Sequence, residues 1–173
     1  MINDVPGCID PSLCALAVRV VQDLRRAGLS VVTAESCTGG LIAALLSHGE
    51  RASDCLHGGF VVYTKAQKTA ALNVGADLLE RCSAVHELVA KEMVSGALRR
   101  SDASLAISVT GVLGPDADED GNPPGLVYLG IGRRGDEPHV IQRSYKGEPP
   151  DAVRRAIIVD ALTLLQQHAI EHR

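Results

Sequence analysis

Ser30-Val31-Val32-Thr33-Ala34, then Glu35-Ser36-Cys37-Thr38-Gly39-Gly40, then Leu41-Ile42-Ala43-Ala44-Leu45-Leu46 is the stretch whose reading decides the fold. The opening residues are short, apolar and rich in β-branched side chains, which predicts a buried strand. The closing residues are a helical run. Between them lies a tight turn ending in two glycines. Strand, glycine-bearing turn and helix is the arrangement in which backbone N–H groups point at a ligand.

Outward from this unit the same alternation continues. Upstream, Asp10-Pro11 reads as an N-cap followed by proline in the first helical position, and Leu13, Leu16, Ala17, Val20, Val21 and Leu24 recur at helical spacing up to Gly28. Downstream, a strand is predicted at Gly59 to Tyr63 and a short helix from Lys65 to Leu72. A further helix is predicted at His86 to Arg99, with His86 as a capping or surface residue, and a strand at Ala103 to Thr110. Gly111 to Pro124 reads as a loop. Gly125 to Gly132 and His139 to Tyr145 read as a hairpin, and Asp151 to His168 as the last helix. The expected fold is α/β, a three-layer α/β/α sandwich with a mixed, mainly parallel sheet. One domain over residues 1–173 is expected, with 1–10 as an N-terminal extension.

A chain of 173 residues buries roughly 70% of its unfolded surface and needs no disulfide staple. Aromatic residues make up only 2% of it, so aliphatic side chains and alanine must fill the core. A net charge of −4 argues against nucleic acid and anionic membranes as partners. The five cysteines are odd in number and lack a C-x-x-C pair, which points to free thiols in a reducing, cytoplasmic setting. The N-terminus lacks a signal-peptide pattern, and no apolar run reaches the ~20 residues needed to span a bilayer.

Two patterns imitate known sites. Gly130-Ile131-Gly132-Arg133-Arg134-Gly135 spells G-x-G-x-x-G, but a strand pattern follows where the dinucleotide fingerprint needs a helix, so a hairpin turn is expected. Asp116-Ala117-Asp118-Glu119-Asp120-Gly121 begins like a calcium loop, but Val127 stands where the bidentate glutamate belongs. The histidines show no metal spacing, so no metal and no cofactor is expected.

Chemistry concentrates at Ser36. A serine at a strand-to-helix turn becomes a nucleophile when a base takes its proton, and the N–H groups from Cys37 to Gly40 are candidate oxyanion donors. Tyr63 at a strand end and Lys68 on the following helix can face the same sheet edge. A partly desolvated lysine accepts a proton from serine, and a tyrosine relays one.

Thr33-Ala34-Glu35-Ser36-Cys37-Thr38-Gly39-Gly40 resembles the opening motif of the CinA C-terminal domain family, the nicotinamide mononucleotide (NMN) deamidases. Similar blocks follow in the family's order: Gly59-Phe60-Val61-Val62-Tyr63 with Lys68 and Leu72-Asn73-Val74, Ala106 to Gly111 with Gly114-Pro115, Pro124-Gly125-Leu126-Val127, and Ala152-Val153-Arg154-Arg155. The resemblance implies hydrolysis of NMN to nicotinate mononucleotide and ammonia, with Ser36 as nucleophile assisted by Lys68 and Tyr63. It further implies that Ser53, Thr110 and Gly111 line the pocket of a pyridine nucleotide and that Arg154 lies near its phosphate, while Cys37, Thr38, Gly39 and Gly40 are expected to contact it through their N–H groups. The chain departs from the family pattern in its acidic 116–120 stretch, in Pro123 where a lysine is usual, and in Gly147-Glu148-Pro149-Pro150 where Gly-Asp-Arg is usual. Those departures keep a second reading open, a nucleotide-binding or regulatory module with weak catalysis. Hydrolysis of another amide through Cys37 ranks below both. A homodimer stays open as an alternative to a monomer.

Overall fold

Asp10 accepts a hydrogen bond from the Ser12 N–H at 2.8 Å, and Pro11 opens helix α1 (Pro11–Arg26). The computed structural model describes residues 10–171; Cys8, His172 and all of the N-terminal extension except Asp10 lie outside the described residues. After α1 come β1 (Val31–Glu35), α2 (Leu41–Leu46), a single 3₁₀ turn (Ala52–Asp54) and β2 (Leu56–Val61). Then follow α3 (Lys65–Leu72), α4 (Ala76–Cys82), α5 (Glu87–Arg99), β3 (Leu105–Gly111), β4 (Leu126–Arg133), β5 (His139–Ser144) and α6 (Pro150–Glu171). His86 caps α5, its ring accepting from the Leu88 N–H at 3.2 Å.

The strands form one sheet in the order β2-β1-β3-β4-β5. β1 pairs in parallel with both β2 and β3, while the β3–β4 and β4–β5 pairings are antiparallel. Only β4 therefore runs against the other strands. Side chains alternate across the sheet because successive Cβ atoms in a strand point to opposite faces. Val31, Leu105, Ile107, Val109, Val127, Leu129 and Ile131 pack against α1, α2 and α6. Val32, Ala34 and Ala106 pack on the other face against α3, α4 and α5. The three-layer α/β/α sandwich with a mixed sheet follows from this division.

The second face is built of small residues, and this draws its helices close. Ser108 donates to the Ala90 carbonyl of α5 at 2.8 Å, and Gly130 lies opposite Ser108 inside β4. The G-x-G-x-x-G stretch thus runs mostly along a strand, and only its last residues make the turn. No described helix is long and apolar enough to cross a membrane.

Gly96 fixes the distance between α5 and α3. A Cβ there would strike the backbone carbonyl of Leu72, the last residue of α3. Alanine favours a helix over glycine by about 1 kcal/mol, whereas overpacking against backbone costs about 3 kcal/mol. Gly96→Ala is expected to destabilise the protein by about 2 kcal/mol net. A melting temperature at or above the parent's would show that α3 is free to move away.

Candidate active site

The carboxyl-terminal ends of β1, β2 and β3 meet at one edge of the sheet, where open α/β folds bind their ligands. β1 ends on Glu35, which is only 1% exposed. Its carboxylate accepts from Thr33 Oγ1 at 3.0 Å, Thr38 Oγ1 at 2.7 Å, and the N–H groups of Gly40 at 3.1 Å, Ile42 at 3.0 Å and Ala43 at 2.9 Å. An acidic side chain here satisfies the orphan donors at the start of α2, where the helix dipole also favours negative charge. Gly39 and Gly40, at φ +62° and +96°, supply the left-handed turn that swings the chain into α2.

This cradle presents Ser36 to α3. Thr64 caps α3 by accepting from the Gln67 N–H at 3.2 Å, so Lys68 falls one turn in, facing the sheet. Lys68 is 1% exposed, with Nζ 2.8 Å from Ser36 Oγ and 3.0 Å from the Val62 carbonyl. The Ser36 hydroxyl also faces the Tyr63 carbonyl at 3.4 Å. Burial lowers the Lys68 ammonium from its ordinary value to about 8. No carboxylate among the described residues pairs with it to oppose that shift. A lysine so placed takes up and releases a proton near neutral pH.

A cavity of about 560 Å³ opens over this pair, within the size range of small-ligand sites. Cys37, Tyr63, Thr110, Gly111 and Arg154 line it together with Ser36 and Lys68, and Asp118, Glu119 and Asp120 form part of its wall.

The CinA C-terminal domain model matches residues 14–169. The chain belongs to the CinA C-terminal domain family. It is 39% identical over 163 residues, 94% of its length, to the whole of the nicotinamide-nucleotide amidohydrolase PncC of Pseudomonas putida. It is 45% identical over 111 residues to a CinA-like protein of Chlorobium phaeobacteroides, of which those residues make up only 26%. Among solved structures, the competence/damage-inducible protein CihA of Agrobacterium tumefaciens superposes with a TM-score of 0.85 at 36% identity, covering 92% of this chain and 96% of that one.

Within this CinA domain the structure gathers only some of the residues expected to form the site. Ser36, Cys37, Tyr63, Lys68, Thr110, Gly111 and Arg154 share the cavity. Ser53 does not join them in this chain. It sits in the 3₁₀ turn that precedes β2, at the end of the parallel strands opposite Ser36. Thr38, Gly39 and Gly40 lie behind the cavity wall, and two of them hold Glu35. The Gly40 N–H is thereby removed from the expected oxyanion donors, and the Gly39 N–H closes the turn onto the Ser36 carbonyl. The Cys37 and Thr38 N–H groups reach no oxygen among the described residues, and Cys37 is the one on the cavity wall.

Cys37 itself is a poor nucleophile. Burial pushes its thiol up to about 12, so it stays protonated. The acidic stretch, meanwhile, is not a bare anionic patch. Asp118 accepts from the N–H groups of Asp120 and Asn122 and from Asn122 Nδ2, closing its own turn. Asp120 pairs with Lys65 at 2.6 Å. Sequence motifs alone give Glu35 and Lys65 no role in the site. The signal for Glu35 was present, an acid directly before a glycine turn and a helix start; the signal for Lys65 was not.

Proposed function

We propose that this CinA domain is a nicotinamide-nucleotide amidase that converts NMN to nicotinate mononucleotide and ammonia. The observation that carries the reading is the buried Lys68 ammonium 2.8 Å from Ser36 Oγ inside a ligand-sized cavity. Likeness over 94% of its length to a protein named for this activity supports it.

In the proposed cycle neutral Lys68 takes the Ser36 proton as Oγ attacks the carboxamide carbon. The Cys37 N–H stabilises the resulting oxyanion. Collapse breaks the C–N bond, and Lys68 returns the proton to the leaving ammonia. Water then attacks the acyl ester and gives a proton to Lys68, which passes it to the departing Ser36 oxygen, so that the C–O bond breaks and both the serine hydroxyl and neutral Lys68 are restored. The pyridinium charge of the substrate activates its carboxamide throughout. Tyr63, whose side chain is exposed at the cavity mouth, is the second proton carrier. Thr110 and Gly111 form the wall beside the nucleophile, and Arg154 meets the anionic end of the substrate.

The direct test is incubation of the purified chain with NMN, reading ammonia and nicotinate mononucleotide. No turnover with tight nucleotide binding by calorimetry would overturn the amidase in favour of a binding or regulatory module.

The pH profile is a second check. With Lys68 titrating at about 8, kcat/KM should rise with pH below that value and level off above it. The expected change is about tenfold per unit on the rising limb. Lys68→Arg, which cannot lose its proton, should be inactive across the range. Because folding lowers this lysine's pKa from 10.5 to about 8, the unfolded chain binds the extra proton between those values. Stability therefore rises with pH across that window, and the burial penalty is fully present below it. A flat pH profile would remove Lys68 from the proton transfers.

A further inference from the structure

Lys65 stands one turn before Lys68 on α3, on the wall of the same cavity. Its ammonium lies 2.6 Å from Asp120 Oδ1 and 3.4 Å from Glu119 Oε1. Asp120 is not a casual surface partner. Its other oxygen accepts the Ala84 N–H at 3.3 Å, and its own N–H donates to Asp118. The turn around it is tied to the α4–α5 connection by Asn122 Nδ2, which donates to Ser83 Oγ at 3.0 Å. The loop between β3 and β4 is thus built to hold Asp120 on Lys65, with the exposed Glu119 carboxylate beside it.

The cations lining the cavity are Lys65, Lys68 and Arg154. Lys68 is engaged with the nucleophile. Arg154 pairs with Asp151, whose side chain is 93% exposed and yields readily to a competing anion. Lys65 is the remaining cation; the nearer carboxylate on it, Asp120, is 24% exposed and the farther one, Glu119, 75% exposed. An anion entering the cavity finds Arg154 available and Lys65 already occupied.

We propose that Lys65 recognises the phosphate end of the ligand alongside Arg154, and that Asp120 competes with that phosphate for the Lys65 ammonium. Asp120 then sets how strongly the site favours a phosphorylated ligand over its dephosphorylated counterpart. The proposal rests on the amidase reading for its substrate class, but not for its test. A phosphate carries more charge and more acceptor oxygens than one carboxylate, so it displaces Asp120 at a cost in affinity and leaves the reacting centre unchanged.

The test uses ribose 5-phosphate and ribose as probes, by calorimetry at low ionic strength, on the full chain and on Asp120→Asn, Lys65→Met and the double variant. Asp120→Asn should bind ribose 5-phosphate about fivefold more tightly than the parent, the scale of one exposed charge pair. Lys65→Met should bind it more weakly than the parent, the double variant should show no gain, and ribose should be indifferent to either change. With NMN, the Asp120→Asn gain should fall in KM and not in kcat. Three results overturn the proposal: unchanged ribose 5-phosphate affinity in Asp120→Asn, an equal gain for ribose, or a gain that persists in the double variant. Should Asp120→Asn fail to fold, Lys65→Met decides alone, since parental affinity for ribose 5-phosphate overturns it. The expected binding pattern in a parent that releases no ammonia would support this inference while refuting the amidase.

Discussion

Ser36→Ala is expected to cut ammonia release from NMN by about 10⁴-fold, the scale on which loss of a catalytic nucleophile leaves only binding and oxyanion stabilisation. The fold should survive. Ser36 is anchored by its backbone, whose N–H donates to the Val109 carbonyl at 3.0 Å; its hydroxyl makes a long contact to the Tyr63 carbonyl and accepts from Lys68 Nζ, which keeps the Val62 carbonyl as a partner when the hydroxyl is removed. Its melting temperature should therefore stay within about 3 °C of the parent, a change of no more than about 1 kcal/mol for a chain of this size. The decisive readout is turnover at equal folded concentration. Ammonia release at the parental rate would remove Ser36 from the chemistry, and the protonated Cys37 thiol offers no ready substitute.

Glu35→Ala is expected to lose both stability and activity. Five donors converge on the Glu35 carboxylate, three of them backbone N–H groups at the start of α2. Truncation leaves these donors buried without an acceptor, and water entering the hole recovers only part of the loss. A cost of about 4 kcal/mol follows, since each unsatisfied buried group costs about 1–3 kcal/mol. For a chain of this size that lowers the melting temperature by roughly 8–16 °C. Glu35→Gln is the more discriminating variant. Its amide nitrogen must face either the Ala43 N–H or the pair from Gly40 and Ile42, setting donor against donor. It should cost about 2 kcal/mol and reduce kcat, because the Ser36 turn loses its anchor. A Gln variant with the parent's melting curve would mean that the turn holds its shape without the carboxylate.

Much of the fold was legible because its signals are local. Asp10-Pro11 marks a helix start through an N-cap and a residue that needs no N–H, and α1 begins there. The helix from Lys65 to Leu72 and the cap at His86 were read at their observed positions for the same reason. α4 was missed. It is only seven residues long and follows a glycine with no side-chain cap, so propensity and periodicity carry little signal. β2 starts at Leu56, earlier than expected, because Gly58 and Gly59 resemble a break while the partner strand β1 holds them in the ladder.

The sequence points to candidate residues for the site more readily than to the surroundings that hold them. Ser36, Tyr63 and Lys68 stood out by residue type and by order along the chain, and the three share one cavity. Ser53 stood out by the same resemblance, yet parallel pairing of β1 with β2 carries it to the far end of the sheet. A sequence orders residues along the chain but does not say which end of a strand a neighbouring turn will occupy.

The sequence by itself determined the α/β alternation, the glycine turn that carries Ser36 and the lysine one helical turn past a strand, since each depends on side chains only a few residues apart. The tertiary structure alone decided the rest. It seals Lys68 from water and so lowers its pKa, engages the Gly40 N–H with Glu35, and sets Asp120 on Lys65 across 55 residues of chain. Desolvation and charge pairing depend on what surrounds a group in space, and packing brings those surroundings together from distant parts of the chain.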